Sequence, residues 1–230
     1  MRIDIWSDVV CPWCYIGKRR LETALASFEH AEAVHVVWHS FQLDPGAPAN
    51  PTESVPEMLG RKYGGGPEAG LAMISRVDEL AAAEGLTLNQ AEALHANTRD
   101  AHRLLHLALI DDERRGAQAG LDGAQSRLEE RLFSTHFVEG GNVADHATLT
   151  RLAVEVGLDE TEVRQLLESD DLAEAVEEDV QSARELGANG VPFYVVDDRY
   201  GISGAQPTEL FSQVLERAYD EREAKLEPPA

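Results

Sequence analysis

Two cysteines three apart, Cys11 and Cys14, constrain this chain more than any other feature. They stand in the run Asp8-Val9-Val10-Cys11-Pro12-Trp13-Cys14-Tyr15-Ile16-Gly17 and are the only cysteines among 230 residues. Before them, Arg2 to Trp6 alternates like a strand, with Ile3 and Ile5 on one face. After them, Lys18 to Phe28 carries Leu21, Leu25 and Phe28 along one helical side. A Cys-x-x-Cys between a strand and a helix is the arrangement of a dithiol redox centre. Cys11 falls at or just before the first helical residue, with Pro12 where a missing N–H costs nothing. There the unpaired N–H groups and the positive end of the helix favour a thiolate over a thiol. Cys14, one turn further in, is close enough to attack a mixed disulfide formed on Cys11. Two cysteines are too few for a secreted disulfide framework. A tetrahedral zinc site wants four ligands and there is no second Cys-x-x-Cys, so no metal is expected.

The rest of the chain alternates in character. Val34 to Phe41 is rich in β-branched and aromatic residues and reads as a second strand, parallel to the first through a right-handed crossover. Asp44 to Pro56 holds Pro45, Pro48, Pro51 and Pro56 and reads as a stiff surface connection. From there to Gly187 the pattern is almost wholly helical. Leu71, Ile74 and Ala81 share a face within 68–84; Ala101, Leu104, Leu105, Ala108 and Leu109 share one within 98–115; Leu121, Ala124, Leu128 and Leu132 share one within 121–138. Asp145 caps a helix carrying Leu149 and Leu152, Asp159 with Glu162 resembles a capping box, and a helix over 171–186 carries Leu172, Val176 and Ala183. Strand character returns at Val191 to Val196. A tight turn at Asp197-Asp198 leads into a hairpin partner at Arg199 to Ser203. Pro207 then opens a final helix with Leu210, Phe211, Val214, Leu215 and Ala218 inward, and 224–230 reads as a frayed tail.

The order is therefore β-α-β, helices, β-β-α. It predicts an α/β fold in which residues 1–43 and 188–230 form one sheet flanked by two helices. Residues 44–187 form an all-helical insertion, a lid over the cysteine end.

Charge excludes some partners. The chain has 20 Lys and Arg against 42 Asp and Glu, a formal net charge of −22. Such a surface repels phosphate backbones and anionic lipid, so neither nucleic acid nor membrane is an expected partner. It fits either a salt-rich cytoplasm or an ordinary acidic protein. No signal-peptide pattern opens the sequence and no run approaches ~18 consecutive apolar residues, so a cytoplasmic location is expected. His102 and His106 lie four apart on one helix face, but Arg103 stands where a metalloprotease helix would carry glutamate. Those two histidines read as part of a polar face, His35 and His39 as core-edge residues, and Glu177-Glu178-Asp179 as a solvated face.

Cys-Pro-Trp-Cys after the first strand, Asn97-Thr98 with Ala101-His102-Arg103-Leu104, Gly190-Val191-Pro192-Phe193 before the third strand, and Gly201-Ile202-Ser203-Gly204-Ala205-Gln206-Pro207 occur in that order along the chain. Together they resemble the thioredoxin-fold, DsbA-like family. The branch is the FrnE type, related to 2-hydroxychromene-2-carboxylate isomerases and kappa-class glutathione transferases. The resemblance spans essentially the whole length. It implies that Cys11 is the nucleophile and Cys14 the resolving cysteine. It also implies that Val191–Pro192 is cis and lies against the dithiol, offering the Val191 backbone to a bound peptide or glutathione. Pro12 and Trp13 would contact the substrate, and Asn97, His102 and Arg103 would line its cleft. The isomerase and kappa-transferase relatives usually carry serine where this chain has Cys11, a departure that favours dithiol chemistry.

The resulting expectation is a thiol–disulfide oxidoreductase acting on a disulfide-containing protein or a small-molecule thiol. It needs no cofactor beyond its redox-active disulfide, with glutathione open as a co-substrate. A homodimer stays open. The alternative is a glutathione-dependent isomerase or transferase acting on a small aromatic or polyketide-like compound.

Overall fold

The computed structural model describes residues 1–116 and 121–226. Chain order runs β1 (Arg2–Ser7), α1 (Pro12–Ala26), β2 (His35–Ser40), α2 (Val55–Tyr63), α3 (Gly66–Ala83), α4 (Arg99–Arg114) and α5 (Ala124–Phe137). It continues α6 (His146–Glu155), α7 (Glu160–Leu167), α8 (Ala173–Glu185), β3 (Phe193–Val196), β4 (Tyr200–Ser203) and α9 (Thr208–Leu226). Of the expected frayed tail, Ala224 to Leu226 continue α9, while 227–230 lie outside the described residues.

The strands form one sheet in the order β2-β1-β3-β4. β1 pairs parallel with β2 and antiparallel with β3, and β3 and β4 form the expected hairpin. Asp197 and Asp198 both take positive φ, 49° and 55°, as a two-residue primed turn demands. Alternation then sorts the side chains. Ile3, Ile5, Val36, Trp38, Tyr194 and Val196 face α1 and α9, where Leu21, Leu25, Phe211 and Leu215 complete the layer. Each such side chain, once fully buried, contributes roughly 1.5–3 kcal/mol of transfer free energy.

The opposite face corrects the expectation of a sheet flanked by two helices only. Trp6, Phe193 and Val195 pack against Ala183 of α8 and against Ala188. The last helix of the insertion is thus a third layer on the sheet. Asp179 explains why. Sequence reading put Glu177-Glu178-Asp179 on a solvated face, and Glu177 and Glu178 are indeed exposed, but Asp179 turns inward. Its carboxylate accepts from the Ser40 amide at 2.7 Å and lies 2.7 Å from His39 Nδ1 and 3.0 Å from His106 Nε2. His39 Nε2 lies 2.7 Å from Asp4 Oδ1, and the His39 ring stacks on Trp6. Burial acts to lower the His39 pKa, but the two carboxylates overcome it and raise the group to about 9. Burial likewise acts to raise Asp179, but His106 and His39 hold it well below the usual carboxylate range. His39, His106 and Asp179 therefore fasten α8 and α4 to β2.

Within the insertion, α4 to α7 share a core of Leu104, Leu105, Ala108, Leu128, Leu149 and Val163. Asp159 caps α7 by accepting from the Thr161 and Glu162 amides. The stiff connection ends sooner than its prolines suggest: Ser54 and Glu57 form a reciprocal capping box, and Pro56 lies in the first turn of α2. α2 and α3 touch backbone to backbone. A Cβ on Gly60 would lie 2.0 Å from Gly66 O, and one on Gly70 would lie 2.1 Å from Pro56 O. Ile74 and Ala81 of α3 are buried as expected, whereas Leu71 is 45% exposed.

Candidate functional site

Cys11 is the N-cap of α1, in extended backbone (φ −96°, ψ 111°), with Pro12 following in the first turn. Its amide donates to Asp8 O at 2.9 Å, and its own carbonyl accepts from the Cys14 amide at 3.0 Å. Cys11 forms part of the wall of a cleft, while Cys14 sits one turn behind it at 1% exposure. Both are free thiols. The Val191–Pro192 peptide bond is cis, and the Cys11 thiol donates to Val191 O at 3.6 Å. Burial, and then the neighbouring Cys11, push the Cys14 thiol well above its ordinary pKa. The two sulfurs are thereby made unequal: one borders the cleft, the other is held protonated behind it.

Behind Cys14 lies a buried polar group that sequence reading did not single out. The Ser7 hydroxyl, at the end of β1, donates to Glu129 Oε1 of α5 at 2.7 Å. Ser7 acts against the upward shift of the Cys14 thiol. Glu129 is fully buried, its Oε2 has no protein partner, and burial raises its pKa to about 7. Asp8 Oδ2 accepts from the Leu43 amide at 2.8 Å, and Asp8 Oδ1 lies 3.4 Å from His102 Nε2. Burial works to lower the His102 pKa, but Asp8 and then Glu129 outweigh it and the net direction is up. One sequence signal was available. Gln125, Glu129 and His136 follow i, i+4, i+11, polar residues on one stripe beside the leucines, and all three are buried.

The cleft measures about 360 Å³. One wall is Cys11, Pro12, Trp13 and Val191; the other is built from α2 and α3 with Met58, Tyr63, Met73 and Val77. Trp13 is 39% exposed at the rim. Three residues assigned by resemblance to cleft lining do other work. The Arg103 guanidinium is buried and donates to the carbonyls of Leu166, Ser169 and Asp171 and to Asp100, tying α4 to the end of α7. Asn97 donates to Pro45 O at 3.2 Å and Ala47 O at 3.0 Å, and accepts from the Arg99 amide at 2.9 Å, securing the proline-rich segment. His102 lies beneath the cleft, against Asp8. A larger hollow, about 610 Å³, is lined by Leu25, Asp111, Arg115 and Arg127 and contains no cysteine. Among the described residues no cluster of His, Cys, Asp and Glu could hold a metal ion.

Residues 2–216 match the family described as the DSBA-like thioredoxin domain. The chain belongs to this DsbA-like thioredoxin family. A probable DsbA oxidoreductase from Streptomyces coelicolor is 41% identical, with TM-score 0.85, over 100% of this chain and 92% of that one. An uncharacterized protein of Bacillus subtilis, YwbO, is 26% identical over 94% of this chain and 96% of its own length. The same DsbA-like fold with a helical insertion recurs in a 2-hydroxychromene-2-carboxylate isomerase (16% identical, TM-score 0.68, covering 99% and 100% of the two chains). It recurs again in the cytosolic disulfide reductase DsbM of Pseudomonas aeruginosa, solved with GSH (18% identical, TM-score 0.61, covering 96% and 100%). The same fold is thus shared by proteins described as oxidoreductases and by one described as an isomerase. Among the described residues no helix is long and apolar enough to cross a membrane.

Proposed function

We propose that this DsbA-like protein is a cytoplasmic thiol–disulfide oxidoreductase that works through Cys11 and Cys14. The observation that carries the reading is the inequality of the sulfurs: Cys11 borders the cleft at the start of α1, and Cys14 is buried behind it with a raised pKa. In the reducing direction, the Cys11 thiolate attacks one sulfur of a substrate disulfide. A Cys11–substrate disulfide forms and the other substrate sulfur leaves as a thiolate. Cys14 then passes its proton through the Ser7 hydroxyl to Glu129 and attacks Cys11 Sγ. The Cys11–Cys14 disulfide forms, the second substrate thiolate leaves, and two electrons have moved to the substrate. Run backwards, the same steps oxidise a dithiol, and the reduction potential sets the direction. In this reading the Val191 backbone, at the cleft wall beside Cys11, pairs with an extended substrate.

Insulin-disulfide reduction tests this directly. Wild type should turn over, Cys11→Ser should be inactive, and Cys14→Ala should accumulate the Cys11–substrate mixed disulfide. Full activity in Cys11→Ser would end the proposal. A second reading, a glutathione-dependent isomerase or transferase, draws support from the mainly apolar cleft, from the structural likeness to an isomerase and from the GSH held by DsbM. It predicts glutathione binding and turnover of a small aromatic substrate that survives Cys14→Ala.

A further inference from the structure

The cleft contains a group that dithiol exchange leaves unused. His136 of α5 forms part of its wall at 1% exposure, and its Nδ1 is buried with no protein partner. Burial lowers its pKa to about 4, so at pH 7 the ring is neutral and offers one donor and one acceptor. A buried polar group left unpaired is costly, and a ligand hydrogen bond to the imidazole in the cleft wall offsets the cost. The surroundings are mainly apolar: Met58, Leu59, Met73 and Val77 line the same cleft, and Phe137 packs edge-on against the ring at 4.6 Å between centroids.

Charge narrows the ligand further. Asp8 is buried in the same wall, and Asp44 stands at the rim, 3.0 Å from His95 Nε2. An anionic ligand would meet both carboxylates, with the exposed Lys62 the one lysine or arginine among the lining residues. A cationic ligand would have to shed its hydration among methionines and leucines beside a neutral imidazole. The volume of about 360 Å³ lies at the small end of the range for small-molecule clefts, roughly 300–1,000 Å³.

We propose that this cleft binds an uncharged, mainly apolar small molecule of one or two rings whose single hydroxyl or carbonyl group hydrogen-bonds His136. As a statement about the substrate of the dithiol it rests on the reading above. As a statement about binding it stands without it, because the partner is an imidazole and not a sulfur.

The test uses the full chain carrying Cys11→Ser and Cys14→Ser, titrated calorimetrically with a matched set: 4-propylphenol, propylbenzene and 4-propylbenzoate. The phenol should bind about three- to tenfold more tightly than propylbenzene, the range that one net hydrogen bond carries, and the benzoate more weakly than both. His136→Phe should erase the preference for the phenol while propylbenzene still binds. The His136 ring resonances of the unmutated position should shift on saturation with the phenol, a readout that survives if His136→Phe does not fold. Absence of binding by phenol and propylbenzene alike overturns the proposal. So does tightest binding by the benzoate, a preference that persists in His136→Phe, or unmoved His136 resonances. Loss of insulin reductase activity would defeat the dithiol reading and leave these titrations untouched.

Discussion

Replacing Glu129 by Gln should make the protein more stable and less active. Gln keeps an acceptor for the Ser7 hydroxyl and removes a charge from a fully buried site. Burial raises the Glu129 pKa from 4.5 to about 7, a preference of the folded state for the protonated acid. A carboxyl group with a raised pKa contributes its stability fully below the unfolded pKa and loses it as pH rises through the folded one. The window therefore runs from about pH 4.5 to about pH 7. At 1.36 kcal/mol per pKa unit, the shift costs wild type about 3 kcal/mol once pH passes 8, and under about 1 kcal/mol at pH 5. Urea unfolding of the reduced proteins at pH 5 and pH 8 measures this. The Glu129→Gln advantage should grow by about 2 kcal/mol between the two, while the mixed disulfide at Cys11 resolves more slowly because Ser7 has lost its proton acceptor. An advantage that does not change with pH, or a variant weaker than wild type at both values, would refute the assignment of a buried, protonatable acid.

Two further substitutions test the packing. Asp179→Asn leaves His39 with one carboxylate and the α8–β2 contact without its charge. Breaking a buried pair of this kind costs about 3 kcal/mol, to be read by urea unfolding at pH 7, and a loss under about 1 kcal/mol would contradict the role given to Asp179. In the same variant the His39 pKa, about 9 in wild type, should fall toward 6.5 by NMR titration. Because that pKa is raised, the stability it contributes is full below about 6.5 and lost as pH climbs through about 9, so the gap between wild type and variant should narrow in alkali. Gly60→Ala forces a methyl group into the Gly66 carbonyl, 2.0 Å away, and should open α2 from α3 at a cost of about 1–3 kcal/mol; an unchanged melting curve would show that the two helices do not rely on that approach.

Much of this was legible in the residues. The Cys-x-x-Cys between a strand and a helix, the β-α-β…β-β-α order, the Asp197-Asp198 turn and the apolar faces of α4 and α5 are local patterns. Local sterics and hydrophobic periodicity determine them without reference to distant partners. Arg103 and Asn97 fell outside that reach. Each is a polar residue near a helix start, and only the path of α7 and of the proline-rich segment decided that their donors would be spent on backbone carbonyls.

Residues 7, 102, 129, 136 and 179 belong to the same class. Periodicity states which side of a helix is apolar; it does not state which polar group on a neighbouring element will be buried with it. Sequence alone determined the fold class and the two sulfurs. The tertiary structure decided that Glu129 from the insertion lies behind Cys14, that His136 faces the cleft unpaired, and that Asp179 fastens α8 to the sheet. A buried polar group is admitted only where a partner from elsewhere in the chain offsets its desolvation, or where a cleft brings one to it, and for Glu129 and Asp179 such partners lie 122 and 140 residues away.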